Sequence, residues 1–164
     1  MAYQGKSFGS VNVHIYTSRD EMGKAAAEHV VGLIRQVQEG KQTANIVFAA
    51  APSQNEFLSY LTKFSDVDWS RVVGFHMDEY IGLPASSDQF FSLYLQNHLF
   101  SKVRMKQVHI LDSQASDPAK ECERYAALLR ENPTDIVCMG IGENGHIAFN
   151  DPPVADFDDK YLVK

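Results

Sequence analysis

Short apolar runs separated by helix-like segments most constrain the fold of this chain. The runs Asn45–Ala51, Arg71–His76 and Asp135–Gly140 have the length and composition of buried strands. Segments with helical spacing of apolar residues lie before, between and after them. Regular alternation of strand and helix is typical of an open, mostly parallel sheet with helices on both faces. The sequence therefore predicts an α/β fold, and two weaker strand candidates stand at Val11–Tyr16 and Val108–Leu111.

The helical segments carry recognisable start signals. Ser18 stands three residues before Glu21, which is a capping-box spacing, and Gly40 is a stop signal. Asp117 is placed to cap a helix that has Pro118 at its first position. Together with the strands, these signals predict a doubly wound, Rossmann-like sheet with helices at 18–40, 56–64, 88–100 and 117–130.

Composition narrows the classes of protein to which the chain can belong. At 164 residues with 45% hydrophobic and 22% charged residues, residues 1–164 are expected to form a single globular domain. A net charge of −6 argues against a nucleic-acid-binding protein, because such proteins usually carry an excess of basic residues. No apolar run is long enough to span a membrane, and no signal peptide is recognisable. The well-separated Cys122 and Cys138 favour a reducing cytoplasm, and the histidine spacing predicts no metal site.

Ligands of doubly wound sheets bind beyond the carboxyl ends of the strands, which directs attention to three segments. In the first, residues 49–55, Pro52 turns the chain and Ser53 or Asn55 can cap the next helix. Such a place can bind a phosphate or a sugar, with Ser53 and Gln54 as the candidate contacts. It can equally be a plain helix start.

The second segment, residues 77–84, places two acids directly after an apolar strand. If the backbone is extended, Asp78 and Glu79 point in different directions, so one can face a pocket while the other pairs elsewhere. A carboxylate that is partly shielded from water can be tuned as a general base. The alternative is a solvated surface turn.

The third segment, residues 140–153, combines three glycines with a histidine. Gly140, Gly142 and Gly145 permit tight turns and close approach of a ligand. The spacing resembles a dinucleotide fingerprint, but no acidic residue follows in the position that would hold a ribose. His146, with Asn144 before it and Asp151 after it, is either an oriented acid/base group or a structural histidine.

The second and third segments resemble the signature segments of a known enzyme family. Met77–Pro84 (MDEYIGLP), followed by a Phe-rich helix, and Gly140–Pro152 (GIGENGHIAFNDP) resemble glucosamine-6-phosphate deaminases, which belong to a group that includes 6-phosphogluconolactonases. His146–Asn150 (HIAFN) is typical of the deaminase branch. The resemblance implies an enzyme of amino-sugar metabolism that needs no cofactor. It would convert a small sugar phosphate, glucosamine 6-phosphate, to fructose 6-phosphate and ammonia.

The same resemblance implies a role for each candidate residue. Asp78 matches the carboxylate that moves a proton between C2 and C1, and His146 matches the imidazole that assists ring opening. Asp151 stands where the family usually has a Glu partner of that histidine, and Asn144 where it usually has Asp. The glycines at 140, 142 and 145 would keep the backbone close to the sugar, and Ser53 would contact the phosphate.

Three departures from the family leave alternatives open. Besides Asn144, the loop 50–54 lacks the glycines that are usual there, and the chain ends at Lys164 whereas family members continue. The chain is therefore expected to be an N-terminal portion or a truncated relative. A lactonase-like hydrolase and a non-catalytic sugar-phosphate sensor remain as alternatives, and the oligomeric state is open, with a homo-oligomer among the possibilities. Because Asn144 lacks a charge, Asn144→Asp is expected to raise deamination unless Asp151 supplies that charge.

Overall fold

The computed structural model of the protein describes residues 4–164. Its strands are β1 (Gln4–Phe8), β2 (Val11–Ile15), β3 (Ala44–Phe48), β4 (Val72–His76), β5 (Gln107–His109) and β6 (Ile136–Cys138). Its α-helices are α1 (Arg19–Gly40), α2 (Asn55–Leu61), α3 (Phe91–Leu95) and α4 (Pro118–Glu131). A 3₁₀ turn at Pro52–Gln54 leads into α2, another at Trp69–Arg71 leads into β4, and a π-helical turn at Gln96–Phe100 continues α3.

Four strands form a parallel sheet in the order β5-β4-β3-β6. Phe48 of β3 lies beside His76 of β4 on one side and Cys138 of β6 on the other, so these three strands end at one level. The predicted parallel arrangement of the three apolar runs is confirmed. The observed bounds are shorter than the runs because Ala49–Ala51 and Met139–Gly140 already belong to the loops.

The two faces of the sheet pack against different helices. Ile46, Phe48 and Val72 lie in the larger core, which includes buried residues of α1 and α2. Val73 and Phe75 point to the other face and pack against Tyr125 of α4. β4 is buried on both faces, which explains why its sequence is a continuous apolar run instead of an alternating one. Full burial of each large apolar side chain stabilises the fold by about 1.5–3 kcal/mol.

The strand predicted at Val11–Tyr16 exists as β2 but lies outside this sheet. It pairs antiparallel with β1 through a turn at Gly9, whose φ of 61° suits glycine. The sequence gives no strand signal for β1, because Gln4–Phe8 is mostly polar and contains a glycine. The apolar side chains Phe8, Val11 and Ile15 of the hairpin remain largely exposed.

Two helices start at their predicted caps, and a third helix starts later than predicted. The Ser18 hydroxyl accepts a hydrogen bond from the N–H of Glu21, and the Asp117 carboxylate accepts one from Lys120. The segment predicted as helical from Asp88 becomes helical only at Phe91. Over residues 4–164, no helix combines the length and apolar character that crossing a membrane requires.

Candidate active site

Three loops leave the same edge of the parallel sheet, where β3, β4 and β6 end together. The N–H of Ala49 donates to the carbonyl of Cys138 at 2.9 Å, and the N–H of Met77 donates to that of Phe48 at 3.1 Å. These bonds extend the ladder by one residue, so residues 49–55, 77–84 and 140–153 start side by side. Tyr125 reinforces β4 from α4, because its hydroxyl accepts from the N–H of His76 at 2.9 Å and lies 2.7 Å from the carbonyl of His76 and 3.0 Å from that of His109.

The two acids that follow β4 have different surroundings. Asp78 is half-buried, and burial together with the charge of Glu79 raises its pKa to about 6, an effect that the charge of His146 opposes. Glu79 is turned inward, where its carboxylate accepts hydrogen bonds from the N–H groups of Phe91 and Ser92, each at 2.9 Å. The loop after β4, which carries Asp78, and the loop after β6, which carries His146, start at the same level of the sheet, and Tyr80 of the first contacts Phe149 of the second.

His146 belongs to a hydrogen-bonded group of three side chains. Its Nδ1 lies 2.6 Å from Oδ1 of Asn144 and 3.3 Å from Oδ1 of Asp151. The side-chain amide of Asn144 donates from Nδ2 to the same oxygen of Asp151 at 2.8 Å. The structure therefore brings together the three polar residues that the sequence singles out in this segment.

This arrangement fixes the proton on the His146 ring. The backbone N–H of His146 donates to Oδ1 of Asn144, and the Asp151 carboxylate can only accept, so these partners orient the Asn144 amide. Its oxygen consequently faces Nδ1, which must carry the proton. In the neutral imidazole Nε2 is then the nitrogen with the free lone pair.

Glycine is required at two positions of this loop. A Cβ atom at Gly142 would overlap the ring of His146. Gly145 has a φ of 86°, and Ala148 also adopts a positive φ, of 54°. Left-handed backbone is costly for residues with a side chain, so the loop holds its conformation around His146 against some strain.

The first loop lies against the start of the third. A Cβ atom at Gly140 would lie 3.7 Å from Oγ of Ser53 and from Nε2 of Gln54. Ser53 is exposed whereas Gln54 is buried, so Ser53 is the one that faces solvent at this edge. Arg19 reaches the same loop, where it donates to the carbonyl of Pro52 at 2.8 Å and pairs with Glu56.

An aromatic cluster joins the second and third loops. Tyr80 lies next to Phe91 and Phe149, with ring centroids 4.8 Å and 5.4 Å away, and Phe91 stacks on Phe149 at 6.0 Å. Each such pair contributes about 0.5–1.5 kcal/mol beyond simple burial. The loop that carries Asp78 is thus tied to the loop that carries His146.

Sequence reasoning missed several residues that organise this region. Tyr94 of α3 places its hydroxyl 2.8 Å from the carbonyl of Ala51 and 2.7 Å from Oδ1 of Asn55. The cluster of Tyr80, Phe91 and Phe149 also went unrecognised. Tyr80 and Phe149 belong to the FHMDEY and HIAFN segments and Phe91 to the predicted helix 88–100, but only the fold shows that these residues meet.

A groove lies far from this region, and the described residues form no cluster suited to a metal ion. A groove of about 560 Å³ runs between α1 and β6 near Lys41 and Asp135, at the opposite end of the sheet. Within residues 4–164, His, Cys, Asp and Glu side chains do not gather in threes as a metal site requires.

Comparison with known proteins gives consistent matches. Residues 17–153 match the family described as glucosamine-6-phosphate isomerases/6-phosphogluconolactonase. Glucosamine-6-phosphate deaminase 1 of Giardia intestinalis is 48% identical over 98 residues, which are 58% of this chain and 37% of that protein. Glucosamine-6-phosphate deaminase of Lactobacillus delbrueckii subsp. bulgaricus is 33% identical over 142 residues, which are 87% of this chain and 58% of that protein.

Solved structures agree on the fold. A monomeric glucosamine-6-phosphate deaminase superposes with a TM-score of 0.73 and 25% identity, covering 84% of this chain and 58% of that one. A 6-phosphogluconolactonase from Plasmodium vivax superposes with a TM-score of 0.81 at 16% identity, covering 92% and 55%. The chain thus spans little more than half the length of these relatives, and less of the Giardia protein.

Proposed function

Because the chain belongs to the family of glucosamine-6-phosphate isomerases and 6-phosphogluconolactonases, we propose that it is, or forms part of, a glucosamine-6-phosphate deaminase. The reaction would isomerise the amino sugar phosphate and release ammonia, giving fructose 6-phosphate. The observation that carries this proposal is that Asp78 follows β4 at the edge of the sheet where the loop after β6 holds the hydrogen-bonded group of Asn144, His146 and Asp151. A proton-transfer base and an oriented imidazole are the two groups that such a reaction needs.

Asp78 is the proposed base of the isomerisation. Its carboxylate would take the proton from C2 of the open-chain sugar and return it to C1 through an enol-type intermediate. The nitrogen then remains on C2 as an imine, which water hydrolyses to the ketone and ammonia. The raised pKa of Asp78, about 6, supports this role because a more basic carboxylate removes a carbon-bound proton more readily.

His146 is the proposed group for ring opening. Since Nδ1 carries a proton directed at Asn144 and Asp151, Nε2 is free to exchange a proton with the sugar oxygens O5 and O1. The Asp151 carboxylate would stabilise the imidazolium when the ring gains a second proton. Asn144 supports this arrangement by bonding to both partners.

The remaining candidate residues would bind the substrate. Ser53 is the proposed phosphate contact at the exposed rim, with Gln54 beside it and Gly140 close to both. Gly142 and Gly145 allow the backbone of the His146 loop to approach the sugar. Residues 1–164 as one domain, a cytoplasmic location and assembly into a homo-oligomer remain predictions.

Ammonia release from glucosamine 6-phosphate tests this proposal. The assay uses the 164-residue chain and a version that includes any adjoining sequence, with Asp78→Asn as the inactive control. Hydrolysis of 6-phosphogluconolactone without ammonia release would assign the protein to the lactonase alternative. Binding of sugar phosphates without turnover of either compound would favour the sensor alternative.

A further inference from the structure

Glu79 has no role in the chemistry proposed above, although it lies next to Asp78. Its side chain is only 3% exposed. One carboxylate oxygen accepts hydrogen bonds from the N–H groups of Tyr80, at 3.0 Å, and of Phe91, at 2.9 Å, and the other accepts from that of Ser92, at 2.9 Å. Because Phe91 begins α3, this single carboxylate fastens both ends of the loop that links β4 to that helix.

The hydrogen bonds keep Glu79 negatively charged. Burial alone would raise the pKa of its carboxyl group, but the hydrogen bonds from Ser92, Phe91 and Tyr80 outweigh that effect and hold the pKa below the ordinary value. A carboxylate that receives several backbone N–H groups is much more stable as the anion than as the acid.

The nearest histidine does not neutralise this charge. Nε2 of His76 lies 3.7 Å from Oε2 of Glu79, and the His76 side chain is fully buried. Its ring nitrogens lack hydrogen-bond partners within the described residues, and burial lowers its pKa to about 4, against the pull of Glu79. Near neutral pH, His76 is therefore uncharged, and the negative charge of Glu79 is stabilised by backbone N–H groups without a positively charged partner in His76.

That anion acts on the neighbouring Asp78. Burial is the first cause of the raised pKa of Asp78, the charge of Glu79 is the second, and His146 opposes both. The groups that face Asp78 are thus Glu79 from its own loop and His146 from the loop after β6, with Asp151 behind His146. His76, from β4, is neutral in the relevant pH range.

We propose that Glu79 is a positioning residue for Asp78, because its anchored carboxylate fixes the loop after β4 and keeps a negative charge beside the proton-transfer group. This inference rests on the proposed function for the role of Asp78, while the contacts of Glu79 do not depend on it. The charge makes Asp78 a stronger base than an isolated carboxylate, and the anchoring keeps it at the edge where His146 also lies.

The test compares Glu79→Gln with the parent protein in the full chain. Glutamine keeps the size and one acceptor oxygen but removes the charge. Asp78 is titrated by NMR of carboxyl-labelled aspartate, with Asp78→Asn to assign its signal, and the pH dependence of kcat/KM for ammonia release is measured in parallel. We expect both the Asp78 titration and the acid limb of the rate profile to move about 0.5–1 pH unit lower, the effect of one nearby, partly screened charge.

A matched control is Asp88→Asn, which removes an exposed acid from the same loop and should leave the Asp78 titration unchanged. An unchanged titration of Asp78 in folded Glu79→Gln overturns the inference. If that variant does not fold, hydrogen exchange in the parent protein decides instead. The amides of Phe91 and Ser92 should be protected by the carboxylate, and fast exchange at both overturns the anchoring.

The two proposals fail in distinguishable ways, because the titration needs no catalytic turnover. A shifted Asp78 titration without ammonia release in the parent protein rejects the deaminase proposal and supports the electrostatic effect of Glu79. Ammonia release with an unshifted titration rejects the role of Glu79 alone.

Discussion

The side-chain amide of Asn144 donates a hydrogen bond to the carboxylate of Asp151 at 2.8 Å, and its oxygen faces His146. An aspartate at position 144 would therefore place two carboxylates in direct contact. The sequence leads us to expect that Asn144→Asp raises deamination unless Asp151 supplies the missing charge. The structure favours the second case, because the Asp151 carboxylate lies 3.3 Å from Nδ1 of His146.

The first prediction concerns a charge exchange at these positions. Asn144→Asp should lower ammonia release near neutral pH, because adjacent carboxylates share a proton and disturb the orientation of His146. Asp151→Asn, which leaves no charge, should cost roughly 10²–10⁴-fold in kcat. The double variant Asn144→Asp/Asp151→Asn restores one charge and one amide and should recover most of the activity. A faster Asn144→Asp single variant would instead support the expectation from the sequence.

The second prediction concerns Gly142. Alanine at this position overlaps the ring of His146, so the ring must move and kcat should fall on the order of 10²-fold. Gly32→Ala in α1 is the matched control, because nothing lies near its Cβ position, and it should raise the thermal midpoint slightly. Activity equal to the parent in Gly142→Ala would show that the position of His146 does not govern turnover.

The third prediction concerns the aromatic cluster. Phe149→Ala removes its contacts with Tyr80 and Phe91, so it should lower kcat/KM and destabilise the fold by about 0.5–3 kcal/mol. The control Phe157→Ala, at a fully exposed position, should change neither quantity. Denaturant unfolding and ammonia release measure the two effects. Unaltered kinetics in Phe149→Ala would mean that the two loops keep their positions without this contact.

The fourth prediction concerns stability in acid. His76 has a pKa of about 4 when folded and near 6.5 when exposed by unfolding, so between these values the unfolded chain binds the extra proton. Acidification from pH 6.5 to 4 should therefore lower the unfolding free energy through this group. The raised pKa of Asp78 acts in the opposite direction, but it is shared by the parent and the variant.

Comparison with His76→Leu isolates the histidine contribution. The variant should gain about 1–3 kcal/mol of stability relative to the parent between pH 7 and pH 4. Urea unfolding at a series of pH values measures the difference. A constant difference across that range would show that His76 titrates alike in the folded and unfolded chains.

The fifth prediction concerns residues 1–164 tested on their own. Arg19 reaches the loop that carries Ser53, but its guanidinium is already paired with Glu56. A phosphate at this rim would be poorly neutralised in a chain of net charge −6. We expect weak binding of glucosamine 6-phosphate and little ammonia release, measured by calorimetry and an ammonia assay. Robust turnover would show that these residues complete the phosphate site.

The parallel sheet could be predicted because its central strands are buried on both faces. Ile46 and Val47 point to opposite sides, and both sides are covered by helices, so the sequence there is continuously apolar. The hairpin partner β1 could not be predicted, since its polar sequence becomes a strand only by pairing with β2. The start of α3 at Phe91 instead of Asp88 could not be predicted, because the first N–H groups of this helix are bound by Glu79, which is distant in the chain.

The candidate site was predictable in its residue types but not in its contacts. Asp78 and His146 follow strands, so the doubly wound topology puts them at one edge. The orientation of Asn144 depends on a bond to Asp151 seven residues later, and the link between the loops depends on Tyr80 meeting Phe149. Such contacts join residues that are separated in the sequence and become neighbours only in the folded chain.

The hydroxyl of Tyr125 contacts the backbone of His76, two residues before Asp78, from the helix on one face of the sheet. Asp78, the proposed base, is thus held in place through β4 by a side chain that is itself buried. Substitutions in α4 would therefore alter the proposed reaction indirectly, by shifting the end of β4 that positions Asp78. The sequence of this helix carries no chemical motif, so a mutational survey limited to the loops around Asp78 and His146 would not include it.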